Sequence, residues 1–187
     1  EAGSFAILDR AVERGVTFID TAEMYSVPPK AETYGATETI LGRWFAARPG
    51  ARQRVTLASK VAGPARGMDW VRGGKSDVPP ADIESACNAS LKRLQADVID
   101  LYQLHAPDPK VPLADSIGAL ADLQRAGKIR HIGVSNVSVA ELAAARRVAP
   151  IVSVQNEYNV GNRSSQDVLA ACEKARIAFL PWYPLGA

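Results

Sequence analysis

Six apolar runs of strand type punctuate this chain, each set off by a helical pattern and each stopping on residues suited to chemistry. Val16-Thr17-Phe18-Ile19 stops on Asp20, and Tyr25 follows in the loop. Val55-Thr56-Leu57-Ala58-Ser59 stops on Lys60, and the run 98–104 stops on His105. The run 129–134 stops on Ser135-Asn136, and Ile151-Val152-Ser153-Val154 stops on Gln155-Asn156. Ile177-Ala178-Phe179-Leu180 runs into Pro181-Trp182-Tyr183. Strands that alternate with helices imply a parallel sheet. Their nearly continuous apolar character suits burial on both faces. In a parallel barrel all strand C-termini gather on one face, so residues far apart in sequence meet in one pocket.

The helical patterns cover residues 4–14, 37–47, 80–94, 113–126, 139–148 and 164–175. Phe5, Leu8 and Val12 share one face of the first, which Gly15 ends. Ile40, Leu41 and Trp44 share one face of the second. Proline opens the third, Gly127 stops the fourth, and Ser164 is placed to cap the sixth. Two βα connections are long, 26–35 and 61–79, the second holding Gly63, Gly67, Gly73 and Gly74. Such loops are where barrel enzymes place substrate contacts. An open doubly wound sheet would carry a glycine-rich phosphate loop after its first strand. Here that turn reads Asp20-Thr21-Ala22-Glu23-Met24-Tyr25.

Composition narrows the function classes. A net charge of +2 over 187 residues, with no basic stripe, argues against a nucleic-acid binder. The locally basic stretch 48–54 reads as a solvated connection. No apolar run approaches the ~20 residues that span a membrane. Cys87 and Cys172 lack metal-type spacing, fall in helical patterns, and read as buried free thiols of a reducing compartment. With no leader-type start, the expected location is the cytoplasm. No metal site is expected.

Asp20, Tyr25, Lys60 and His105 together describe proton transfer. Tyrosine titrates near ~10 in water, but a neighbouring ammonium stabilises the phenolate. A carboxylate paired to the lysine fixes its position; at ~4 Å such a pair interacts by ~4 kcal/mol before desolvation is subtracted. His105 can donate a hydrogen bond to a carbonyl oxygen. That is the acid half of carbonyl reduction, for which a cofactor must supply the hydride. Each residue alone has a plainer reading as a cap, a solvated lysine or a packing ring, and Ser135-Asn136 alone reads as a turn capping the next helix. All four falling at strand ends in the right order makes those readings improbable together.

Phe18-Ile19-Asp20-Thr21-Ala22-Glu23-Met24-Tyr25 resembles the Asp-Thr-Ala-x-x-Tyr signature of aldo-keto reductases. Leu57-Ala58-Ser59-Lys60 looks like that family's lysine strand, and Asp100-Leu101-Tyr102-Gln103-Leu104-His105 like its histidine segment. Ile132-Gly133-Val134-Ser135-Asn136, Gln155-Asn156-Glu157-Tyr158-Asn159 and Trp182-Tyr183-Pro184-Leu185-Gly186 are similar to its later motifs, in order.

The resemblance implies an α/β fold, a (β/α)8 TIM barrel, and an NADPH-dependent reductase acting on a small-molecule carbonyl substrate. Tyr25 is then the general acid, tuned by Asp20 and Lys60, with His105 orienting the carbonyl. Ser135, Asn136 and Gln155 would hold the nicotinamide carboxamide, Trp182 would stack on its ring, and Leu185 would be a further cofactor-binding residue. Only family strands two to seven have counterparts, so residues 1–187 are expected to be a single barrel domain truncated at both ends. The edges left unpaired predict poor solubility of the isolated piece. Two other readings stand beside the reductase. One is a cofactor-binding sensor or regulatory subunit with little turnover. The other is a barrel isomerase or aldolase using Lys60 as a Schiff base. Oligomeric state is not readable.

Overall fold

In the structure, a computed structural model that describes residues 1–25, 28–61, 68–74 and 78–186, helices and strands alternate without exception. The order is α1 (Ala2–Glu13), β1 (Phe18–Asp20), α2 (Ala36–Ala47), β2 (Thr56–Val61), α3 (Pro80–Leu94) and β3 (Ile99–Leu104). Then come α4 (Leu113–Arg125), β4 (Ile129–Ser135), α5 (Val139–Arg146), β5 (Ile151–Glu157), α6 (Gln166–Ala175) and β6 (Ala178–Trp182). Of the two long connections, Ser26, Val27, Gly63 and Gly67 lie outside the described residues.

All six strands are parallel and pair in sequential order, β1 to β6. The sheet curls. A flat sheet with strands ~4.8 Å apart would separate β1 from β5 by about 19 Å. Yet the side-chain amide of Gln155 on β5 reaches Asp20 on β1 at 3.1 Å. Six parallel strands so curled, with helices outside, form an incomplete (β/α)8 barrel wall, as the family resemblance implies.

The main core lies between the outer face of the sheet and the helices. Trp44, Leu57, Ile83, Tyr102, Ile117 and Ile132 are essentially fully buried there. α2 crosses α3 so closely that a Cβ on Gly42 would lie 2.1 Å from the carbonyl oxygen of Arg93. The inner face is different. Lys60, Gln103, Ser135, Ser153 and Gln155 are all buried polar residues, and a Cβ on Gly133 would meet Ser153, Gln103 and Leu101. The strands therefore alternate polar-in and apolar-out toward their C-terminal ends, rather than being apolar on both faces.

Other expectations shift in detail. β6 continues through Pro181, in register with Asn156, instead of stopping at Leu180. Alternate residues of a parallel strand bond opposite sides. Trp182 O accepts from Tyr158 N on the β5 side, so Pro181 faces away from β5 and its missing N–H breaks no bond to that strand. Ser164 does not cap α6: its hydroxyl bonds Asn162, and the N-cap position falls to Ser165, without a side-chain cap bond. The basic stretch is not merely solvated. Arg52 is mostly buried, donating to the Val98 carbonyl and pairing with Asp100 at 2.8 Å, while Arg48 pairs with Asp9. No helix among the described residues is long and apolar enough to cross a membrane.

Candidate active site

Every strand ends on the same rim, so the polar residues that stop them converge. Lys60, at the penultimate position of β2, is fully buried. Its ammonium donates to Asp20 Oδ2 at 2.7 Å, to the Thr21 carbonyl at 2.9 Å and to the Tyr25 hydroxyl at 3.4 Å. Three N–H groups thus meet three acceptors, which accounts for the full capacity of an ammonium. A buried charge is tolerable only when paired and bonded in this way.

Asp20, at the end of β1, is the hub. Its side chain is about a quarter exposed. Besides Lys60 it accepts from Gln103 Nε2 at 3.2 Å and Gln155 Nε2 at 3.1 Å. Tyr25 sits in the turn after β1, half-buried, with the Lys60 ammonium 4.9 Å from its ring centroid as well as beside its hydroxyl. His105 follows β3. Its ring meets that of Tyr25 edge-on, with centroids 6.0 Å apart. Tyr102, inside β3, points outward into the helix layer. Burial pushes its phenol well above the ordinary range, so it is no rival acid.

A second group adjoins the first across β4, β5 and β6. Ser135 Oγ donates to the Gln155 carbonyl at 2.6 Å, and the Asn136 amide donates to the same oxygen at 3.0 Å. Asn136 takes a left-handed φ of 57°, which turns its side chain back over the strand ends. There its Nδ2 reaches the His105 carbonyl at 2.9 Å and Ser135 Oγ at 3.1 Å, and its Oδ1 accepts from the Trp182 indole at 3.0 Å. Trp182 is 37% exposed, leaving part of the indole open. Leu185, by contrast, is 95% exposed and takes almost no part in packing. The structure therefore brings together eight of the nine residues singled out from the sequence and leaves Leu185 apart.

The plainer reading of Ser135-Asn136 as a helix cap does not hold. α5 is capped by Ser138, whose hydroxyl accepts from Glu141 N while the Glu141 side chain reaches back, a complete capping box. Ser135 and Asn136 are thus spared for the rim. Asn156, the neighbour of Gln155, faces the other way and clamps the loop through Val137 N at 3.1 Å and Val137 O at 2.8 Å.

Sequence reading passed over Gln103, although the signal was available. It lies two residues before His105 and in register with Lys60, so strand parity places it on the inner face. Glu38 was not singled out either. Glu38 is fully buried, accepts from Ser59 Oγ at 2.5 Å, and pairs with Arg93 at 2.7 Å. Among the described residues no group of three or more His, Cys, Asp and Glu could hold a metal ion.

Known proteins resemble this chain over most of its length. The profile of the aldo/keto reductase family matches residues 1–187. Protein Tas of Escherichia coli is 43% identical over 195 residues, covering 91% of this chain and 56% of its own length. An uncharacterized oxidoreductase of Schizosaccharomyces pombe is 36% identical, covering 97% of this chain and 55% of itself. The chain thus spans about half the length of these relatives. Among solved structures, an aldo/keto reductase from Klebsiella pneumoniae in complex with NADP and acetate superposes with a TM-score of 0.75. It is 30% identical, over 95% of this chain and 56% of that one. The glycerol dehydrogenase from Gluconobacter oxydans reaches a TM-score of 0.79 at 31% identity, over 95% and 52%.

Proposed function

The chain belongs to the aldo/keto reductase family, and from that premise we propose that it carries the catalytic rim of an enzyme that reduces an aldehyde or ketone with NADPH. The observation that carries this reading is the buried Lys60 ammonium, held by Asp20 at 2.7 Å and facing the Tyr25 hydroxyl at 3.4 Å. Tyr25 is the proton donor to the carbonyl oxygen as it becomes an alkoxide. Lys60 then faces the phenolate that remains, and Asp20 keeps Lys60 in place. His105, edge-on to Tyr25, presents its ring to the same oxygen and orients the substrate. Positioned acid catalysis of this kind supplies ~10²–10⁴-fold.

The second group of side chains fits a nicotinamide. Ser135 and Asn136 offer a hydroxyl and a side-chain amide bonded to each other and to the Gln155 backbone, and the Gln155 side-chain amide follows on Asp20, a set of polar groups that suits a carboxamide. The open indole of Trp182 beside them suits a flat ring, and its bond to Asn136 fixes its tilt. NADPH, when bound, supplies the hydride that no side chain can. The relative solved with NADP supports that choice of cofactor. The three bonds of Lys60 occupy its Nζ and favour a role beside Tyr25 over one as a Schiff-base amine.

The test is NADPH oxidation by the full-length gene product over a panel of aldehydes and ketones. Carbonyl-dependent loss of the reduced-nicotinamide absorbance is expected. Tight NADPH binding with no member of the panel consumed would contradict it and leave a cofactor-binding sensor or regulatory subunit.

A further inference from the structure

The turn that carries Tyr25 is tied down by a partly buried polar network whose far end lies on α3. Tyr25 N closes the turn on the Ala22 carbonyl at 3.1 Å, and Glu23 N reaches the Lys60 carbonyl at 3.2 Å. The Glu23 side chain is buried, and it accepts from the Tyr34 hydroxyl at 2.8 Å. The ring of Tyr34 lies 5.5 Å from the guanidinium of Arg93. Arg93 in turn donates to Glu38 at 2.7 Å, and Glu38 accepts from Ser59, the residue before Lys60. The contacts therefore approach Lys60 and Tyr25 from both sides, through the turn and through β2. Buried Val71 packs with Met24 and Tyr34 and covers this cluster.

We propose that Glu23, Tyr34 and Arg93 are positioning residues that hold the turn so that the Tyr25 hydroxyl stays over Lys60. This deepens the reading of Tyr25 as the acid and rests on it. Two carboxylates and a guanidinium set largely out of water give little net stability, because desolvation offsets their attraction. What they do give is fixed geometry. Charge-assisted and stacked contacts at several points leave the turn little freedom. A proton donor displaced by ~1 Å can lose ~10²-fold in rate.

The test is Tyr34→Phe in the full-length gene product. It keeps the ring beneath Arg93 and removes only the hydroxyl that Glu23 accepts from. Turnover on an aldehyde should fall by roughly ten- to a hundredfold, while NADPH affinity and the aldehyde KM stay as in the wild type. Added to Tyr25→Phe, the same change should cause no further loss, because there is no longer a proton donor to misplace. Glu23→Gln should reproduce both results. Wild-type turnover in Tyr34→Phe and Glu23→Gln would overturn the proposal and leave the role of Tyr25 intact. An equal loss in the Tyr25→Phe background, or a parallel loss of NADPH binding, would also overturn it, since the network would then support the fold in general. Wild-type turnover in Tyr25→Phe itself would sink the acid assignment, and this inference with it.

Discussion

Replacing Lys60 with methionine isolates the charge at the centre of the site. Methionine keeps an unbranched chain that can fill the space, so the change removes an ammonium more than it removes volume. In the wild type that ammonium stands 3.4 Å from the Tyr25 oxygen. With the effective dielectric of ~20 that suits partly screened sites, a phenolate at that distance is stabilised by about 5 kcal/mol. At ~1.4 kcal/mol per decade, and with some loss to screening, turnover should fall by about 10³-fold. The fold should bear the change. Removing one partner of a buried pair costs about 3–5 kcal/mol. Asp20, however, keeps the amide donors Gln103 and Gln155 and is about a quarter exposed, so a smaller destabilisation is expected. The assay is single-turnover oxidation of bound NADPH by an aldehyde in the full-length gene product, with a thermal melt as control. Near-wild-type turnover in a folded Lys60→Met protein would refute the electrostatic reasoning.

Two predictions concern the frame. Gly42→Ala would set a Cβ 2.1 Å from a backbone oxygen of α3, which cannot rotate away, so a thermal melt should show a loss at or above the ~1–3 kcal/mol typical of overpacking. Burial, ahead of the neighbouring charges, pushes the Cys87 thiol up to about 12. Its folded value therefore lies above the unfolded one near ~8.5, so the stability it contributes is full below ~8.5 and is lost as pH rises toward the folded value. Urea midpoints between those limits should fall more steeply for the wild type than for Cys87→Ala, and identical slopes would count against a buried thiol.

Much of this was legible in the sequence because a parallel barrel turns chain order into geometry. Once Asp20, Lys60 and His105 are seen to end successive apolar runs, their meeting on one rim follows from the fold. Tyr25 needed more, since a loop residue has no strand to aim it. Its placement depends on the Glu23 bonds to Lys60 and Tyr34. Glu38 was not legible for a related reason. Helical periodicity says which face of α2 it shares, but its cation stands on α3, 55 positions away. The polar inner face escaped notice because Ser153 and Gln103 sit inside runs whose other members are mostly apolar, and only parity along the strands separates the two faces. β6 was read too short because Pro181 looks like a strand breaker until its position is known to face away from β5, where it removes no bond to that strand.

The central claim is that the Tyr25 hydroxyl delivers the proton. Tyr25→Phe removes that oxygen and keeps the ring against Lys60 and His105. In the full-length gene product, NADPH titration should give an unchanged affinity, while aldehyde reduction falls by at least ~10²–10⁴-fold at every pH where the wild type turns over. Unchanged affinity together with near-wild-type turnover across several aldehydes and ketones would contradict the account and assign the proton to another group.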